Sequence, residues 1–313
     1  MGYYIARRIL ATIPVMGVVA VIVFLMLRLS PGDPAAIIAG DHATSEDIAA
    51  IREHLGLDRP LLDQFVRWLG QLATGDFGAS IYLDQPVLGL IMERVEPTLA
   101  LSASTMIFAI LLAVPLGVIA AWRAGSWVDQ TIMALSVLAF SVPVFLIGYG
   151  LVMGFSLALE LLPVQGFLSL SEDPIGFLRH LILPTIALGL VYTALLARIT
   201  RATMLETLNE DYIRTARAKG LAEPRVLILH ALKNASVPIV TTIGTGLALL
   251  IGGVVVTESV FAVPGIGRLT IDAVLQRDYP VIQGVILVIA GVYVLVNLAI
   301  DLTYSLLDPR IRY

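Results

Sequence analysis

Few side chains in this sequence could do chemistry, and their spacing removes most of the options. There are two lysines, Lys219 and Lys233, four histidines, His42, His54, His180 and His230, and no cysteine. A phosphate-cradling loop needs Gly-Lys followed by Ser or Thr. Here Lys219 follows Ala218 and Lys233 follows Leu232, so nucleotide would have to be handled by another chain. No two histidines stand four residues apart and no His-Glu-x-x-His occurs, which leaves no metalloprotease motif. The lack of cysteine excludes a thiol nucleophile, a disulfide framework and a Cys-ligated metal. No Gly-x-Ser-x-Gly elbow is present either. The expectation is a chain with no catalytic, cofactor-binding or metal-binding residue of its own. Asp301 stands as the one acid near the interior of an apolar run. Its place at the end of that run, within reach of water, favours a structural pairing over a proton relay.

The elements that carry these residues can be read from composition. Of 313 residues 58% are hydrophobic and only 14% charged, with a mean hydropathy of +0.90, whereas soluble domains carry about a quarter charged residues. The apolar residues come in blocks. A spanning helix needs about 20 of them, and cutting the chain at its charges leaves six windows, too long and too unalternating for barrel strands. The expected layout is an N-terminal tail and first helix over 1–28, an extracytoplasmic cap over 29–96, and a core over 97–313. Within that core lie helices at 97–122, 130–159, 180–199, 234–257 and 279–307, with a loop at 200–233. Arg7 and Arg8 before the first run resemble a signal peptide, but the run, Ile9–Leu27, is longer than a signal's apolar stretch, so a retained anchor is expected. Pro115, Pro143, Pro184 and Pro238 interrupt the windows as kinks or hinges.

Charge asymmetry orients the chain. With the N-terminus inside, the inner segments hold 12 of the 20 basic residues against six acids, and the outer segments 8 basic residues against 17 acids. Lys and Arg concentrate in loops on the cytoplasmic side, so both termini are expected there. The outer segment reads as a small acidic cap with helices near Ser45–Leu55 and Leu61–Leu72, either a shield or a docking surface for a soluble partner. The inner loop, Thr200–Lys233, is basic. It reads as a short helix closed by Gly220, with Arg217 and Lys219 in its last turn, then a second helix starting near Glu223 and Pro224. Tied at both ends to membrane helices, the short helix could act as a lever; it could equally rest on anionic lipid.

At this loop the sequence resembles the permeases of ATP-binding-cassette importers, specifically the dipeptide, oligopeptide and nickel uptake family, and its first, "B-type" dipeptide permease. The general loop signature is Glu-Ala-Ala, three residues, then Gly; here those positions are Arg214, Thr215, Ala216 and Gly220, of which the last two match. Asp211-Tyr-Ile-Arg-Thr-Ala-Arg-Ala-Lys-Gly220 is similar to the variant of the peptide branch. Tyr4–Leu10, Pro31-Gly-Asp-Pro34, Leu55–Pro60, Gly75-Asp-Phe-Gly78, Glu258–Gly267, Asn297–Asp301 and Asp308–Arg312 resemble that branch in the same order along the chain.

The resemblance implies an all-α membrane protein of the type I importer permease architecture, with six helices and a cap between the first two. It implies a coupling helix made of Asp211, Tyr212, Arg214, Thr215, Ala216, Arg217, Lys219 and Gly220, seated on an ATPase. It also implies a second similar permease, two ATPase subunits binding ATP and Mg, an external solute-binding protein, and a place in the bacterial inner membrane. Cargo of this family includes dipeptides, oligopeptides, nickel and glutathione. For the pathway, the polar positions Ser141, Tyr149, Tyr192, Thr241, Thr242 and Thr245 are candidates, unless their hydroxyls bond back to their own helices. Gly244, Ala248 and Gly252, four apart, form a small-residue ridge for close helix contact, within the chain or, by preference, across to the partner permease. The competing class is a stand-alone carrier or channel. It would need internal repeats or charged membrane residues, and neither is evident in the sequence.

Overall fold

A computed structural model describes residues 2–29, 35–36, 44–54 and 57–307. The fold is helical, and no strand occurs among the described residues beyond an isolated bridge between Ala79 and Pro86. The first helices are α1 (Gly2–Leu29), α2 (Ser45–His54), α3 (Leu61–Ala73), α4 (Val87–Trp122), α5 (Trp127–Ser141) and α6 (Val144–Leu151, continued as a π-helix over Val152–Ala158). After these come α7 (Pro174–Leu208), α8 (Asp211–Ala218), α9 (Lys233–Gly253, entered through Glu223–Arg225 and the π-helical Val226–Leu232), α10 (Val255–Val260), α11 (Ile266–Leu275) and α12 (Tyr279–Leu307).

Among the described residues four stretches are long and apolar enough to cross a membrane: Val87–Trp122, Pro174–Leu208, Glu223–Leu250 and Tyr279–Ile300. The apolar part of α1, Leu10–Met26, is shorter. The window expected as one helix over 130–159 is instead two, α5 and α6, bent by 97° at their junction. Val142, held before Pro143, takes an extended backbone with φ −85° and ψ 125°, the conformation the proline ring imposes on its predecessor. Pro115, Pro184 and Pro238 stay within continuous helices. Set against the expected six helices stand four long apolar helices, a bent pair and a shorter apolar helix among the described residues. The expected boundaries also move. The helix expected from 97 starts at Val87, and the helix expected over 234–257 stops at Gly253, before the separate α10.

The chain forms two compact units, Met1–Val95 with Leu269–Val294, and Glu96–Arg268 with Leu295–Tyr313. This cuts the chain differently from the expected 1–28, 29–96 and 97–313. In the first unit, α3 is tied to α1 by aromatic packing, with Phe24 5.1 Å from Phe65 and 5.6 Å from Trp68. The Arg28 guanidinium stacks 3.5 Å over Phe24 and donates to the Gln64 side chain at 3.0 Å. Pro31–Pro34, Gly56 and residues 308–312 lie outside the described residues, as do the side chains of 301–307, among them Asp301. In the second unit the core joins Ala113 and Ala121 of α4 to Leu196 and Met204 of α7, and these to Ile213, Ala216 and Val226 of the inner loop. That cluster positions the candidate site.

Candidate functional site

The helix α8 forms where expected and is stopped by its own backbone. Gly220 has φ +78°, a region open to glycine and costly for residues bearing a Cβ. Its N–H donates to the Arg217 carbonyl at 2.9 Å, and the Leu221 N–H reaches the Ala216 carbonyl at 3.3 Å. These two bonds make a Schellman closure. One face of α8 is buried: Ile213 is fully enclosed and Ala216 nearly so, three apart and hence on one side of the helix. Asp211, Tyr212, Arg214, Thr215, Arg217 and Lys219 are exposed. The two positions that match the general loop signature, Ala216 and Gly220, are thus the ones that packing and backbone require. Arg214 and Thr215, which depart from it, point outward.

Polar contacts lock this helix to the entry of α9. Arg217 makes a two-toothed pair with Glu223, at 2.7 and 3.2 Å, and that hydrogen-bonded carboxylate pushes the Arg217 pKa above its ordinary value. The Asn234 amide donates to the Tyr212 hydroxyl at 2.7 Å, and that hydroxyl donates to the His230 carbonyl at 3.4 Å. Arg214 pairs with Asp211 at 3.2 Å across open surface. On the other side α7 runs into α8 through Asn209 and Glu210. Arg201 of α7 grips Asp129 at the start of α5 with both teeth, at 2.5 and 2.7 Å, while the Gly125 N–H also donates to Asp129 at 2.9 Å. The loop helix is therefore joined covalently to α7 and α9, and α7 by an ion pair to α5.

The candidate pathway residues are placed individually rather than as one cluster. Ser141 donates to Val137, Thr241 to Val237, Thr242 to Pro238 and Thr245 to Thr241, each four residues back. Tyr192 lies with Met106, Thr242 and Ile243 around a small cavity, and Tyr149 is exposed. In the small-residue ridge, a Cβ on Gly244 would overlap Ile300 of α12, and Ala248 is buried within the chain. Gly244 therefore has a close neighbour in its own chain. Gly252 lies on α9.

Acids elsewhere among the described residues are withdrawn from water. Asp129, Glu258 and Asp278 are at most 3% exposed. Glu258 accepts from the Thr98 hydroxyl at 2.6 Å and the Arg268 N–H at 2.9 Å, and Thr98 in turn accepts from the Ile266 N–H at 2.8 Å. The carboxylate so caps the start of α11, where a helix favours negative charge. A Cβ on Gly265 would collide with this carboxylate. Asp278 accepts from the Ser80 hydroxyl and from the Ile81 N–H at 3.3 Å. The signal for Glu258 is present in Glu258–Gly267, whose glycines leave room for a carboxylate, but sequence alone does not show which group fills that room. No group of three or more metal-ligating side chains occurs among the described residues.

Residues 113–313 match the family described as binding-protein-dependent transport system inner membrane component, and residues 1–113 match its N-terminal partner family. A probable peptide ABC transporter permease, y4tP of Sinorhizobium fredii, is 54% identical over 100% of both chains. A putative peptide transport system permease of Brucella abortus is 44% identical over 99% of this chain and 98% of its own. The glutathione transport system permease GsiC of Escherichia coli is 42% identical over 99% of each. Among solved structures, an inward-facing MetNI methionine ABC transporter chain superposes with TM-score 0.59 at 18% identity, covering 70% of this chain and 96% of that one, a likeness of fold. The chain belongs to the family of inner membrane components of binding-protein-dependent transport systems. It is a permease subunit of an ATP-binding-cassette importer.

Proposed function

We propose that this permease forms half of the translocation pathway for di- or oligopeptides or a peptide-like solute such as glutathione, and that partner ATPases drive it through α8. Relatives named for peptide and glutathione transport favour such cargo over nickel. On this reading a second, similar permease completes the pathway, two ATPases bind ATP and Mg, and an external binding protein delivers cargo to the outer cap. The chain itself then catalyses nothing. Both termini and the 200–233 loop face the cytoplasm, as the excess of basic residues there favours.

The observation that carries the reading is the two-sidedness of α8. Ile213 and Ala216 are sunk in the core shared with α4, α7 and α9, while Tyr212, Arg214, Thr215 and Arg217 remain open. A push on the open face would be passed to the helices beneath it, since a close-packed interior transmits displacement. Deleting 211–220 should abolish uptake and cargo-stimulated ATP hydrolysis while the protein still inserts. Unchanged uptake by the deleted protein would end the reading.

A further inference from the structure

We propose that Arg198 supplies a fixed positive charge to a water-filled face of the bundle, where it attracts an anionic group of the carboxylate class. Arg198 and Arg201 both count among the basic residues of the inner segments, and both stand on the spanning helix α7. They behave differently. Arg201 is consumed by Asp129 in the first turn of α5. Arg198 turns the other way along its helix. Its Nε donates to the Ala194 carbonyl one turn back at 3.3 Å, and its guanidinium lies 5.1 Å from the centre of the Phe140 ring. Phe140 stands eleven residues beyond Asp129 on α5, about 16 Å along a helix, or roughly half the hydrocarbon thickness.

Three features set this cation apart. Arginines facing lipid stretch towards the nearest water, and this one extends away from the Asp129 end. None of the ion pairs among the described residues involves it, so its charge is not neutralised there. It is also not enclosed: Arg198 is partly exposed and Phe140 is 53% exposed, so ring and cation open onto a surface of the chain. Lipid against that surface would leave a charge unsolvated in hydrocarbon, whereas charged groups inside membrane helices face a bundle interior or a water-filled cavity. In a permease such a wet face is part of the solute's route. A guanidinium steadied by an aromatic ring and holding unused donors in a planar fork suits a carboxylate. The proposal deepens the permease reading and rests on it.

The test uses the absence of cysteine from this chain. Phe140→Cys in the assembled importer, in membrane vesicles, is labelled with a negatively charged sulfonatoethyl thiosulfonate or a positively charged trimethylammonium analogue. Each rate is divided by that for a small free thiol. Both reagents should react, the sulfonate with about a tenfold preference, as expected for a unit charge a few ångströms away in water. Adding Arg198→Gln should bring the ratio to about one, and adding Arg198→Lys should keep most of the preference. No labelling by either reagent, or a preference indifferent to Arg198→Gln, would overturn the proposal and leave Arg198 as a brace between α5 and α7. No cargo is needed, so an error in the proposed solute would not disturb this measurement.

Discussion

The inner segment Asp211–Gly220 and the segment Val254–Arg268 are both short, both helical in part, and both shaped by glycine, yet they enclose opposite chemistry. The first buries two apolar side chains, Ile213 and Ala216, and leaves its charges outside. The second buries a carboxylate, Glu258, to which the Thr98 hydroxyl and the Arg268 N–H donate. Apolar contacts are non-directional, and the polar contacts of the first segment, Arg217 to Glu223 and Asn234 to Tyr212, are made at exposed positions. Hydrogen bonds to an enclosed carboxylate are directional and expensive to leave unmade, so the second holds one geometry. The difference separates a segment seated by apolar contact from one held by enclosed hydrogen bonds.

The largest effect should come from breaking the second segment. Glu258→Ala leaves the Thr98 hydroxyl and the Arg268 N–H without their acceptor, each at a cost of about 1–3 kcal/mol. The purified protein should melt markedly lower, and a melting temperature within error of the parent would break the contrast. Gly265→Ala pushes a methyl into the same carboxylate and should cost about 1–3 kcal/mol, again read from melting. In the first segment, Gly220→Ala should cost about 1 kcal/mol, through the left-handed backbone alone. Uptake should nevertheless fall several-fold more than this loss of stability explains. The smallest stability change belongs to Arg214→Ala, on open surface, within about 0.5 kcal/mol, yet it should reduce uptake; normal uptake would sharpen the docking face down to Tyr212, Thr215 and Arg217.

The Arg217–Glu223 pair carries a pH statement as well. Arg217 has its folded-state pKa raised by Glu223, so its stabilising contribution is fully present below the unfolded pKa and is lost only as pH rises through the folded one. Both lie far above neutrality. Arg217→Gln should therefore shift melting by about the same small amount, under 1 kcal/mol for a half-exposed pair, from pH 6 to pH 9.

How much of the molecule is legible in the sequence depends on how local the cause is. The termination of α8 is written in Gly220 and its neighbours, so its place can be read directly. The bend at Val142–Pro143 is visible as a proline, but Pro115, Pro184 and Pro238 look the same in sequence and sit in unbroken helices. Whether a proline kinks or breaks a helix depends on what packs around it. Glu258 counts as an outer-loop acid in the sequence because its partners are distant: Thr98 is 160 residues away. Gly244 signals a close contact but does not name its neighbour for the same reason, since Ile300 lies on another helix. Arg198 counts as an inner-segment charge because sequence marks where a charge is attached, while its side chain reaches back by a turn of helix.

The most direct test of the central claim is cross-linking from the open face of α8. Arg214→Cys, in an otherwise cysteine-free chain, should form a cross-link to an ATPase subunit in the assembled importer, and its yield should change when ATP is added. A cross-linked importer should no longer move cargo. If Arg214→Cys captures no ATPase, or if the captured complex transports at the parent rate, force does not enter through this helix.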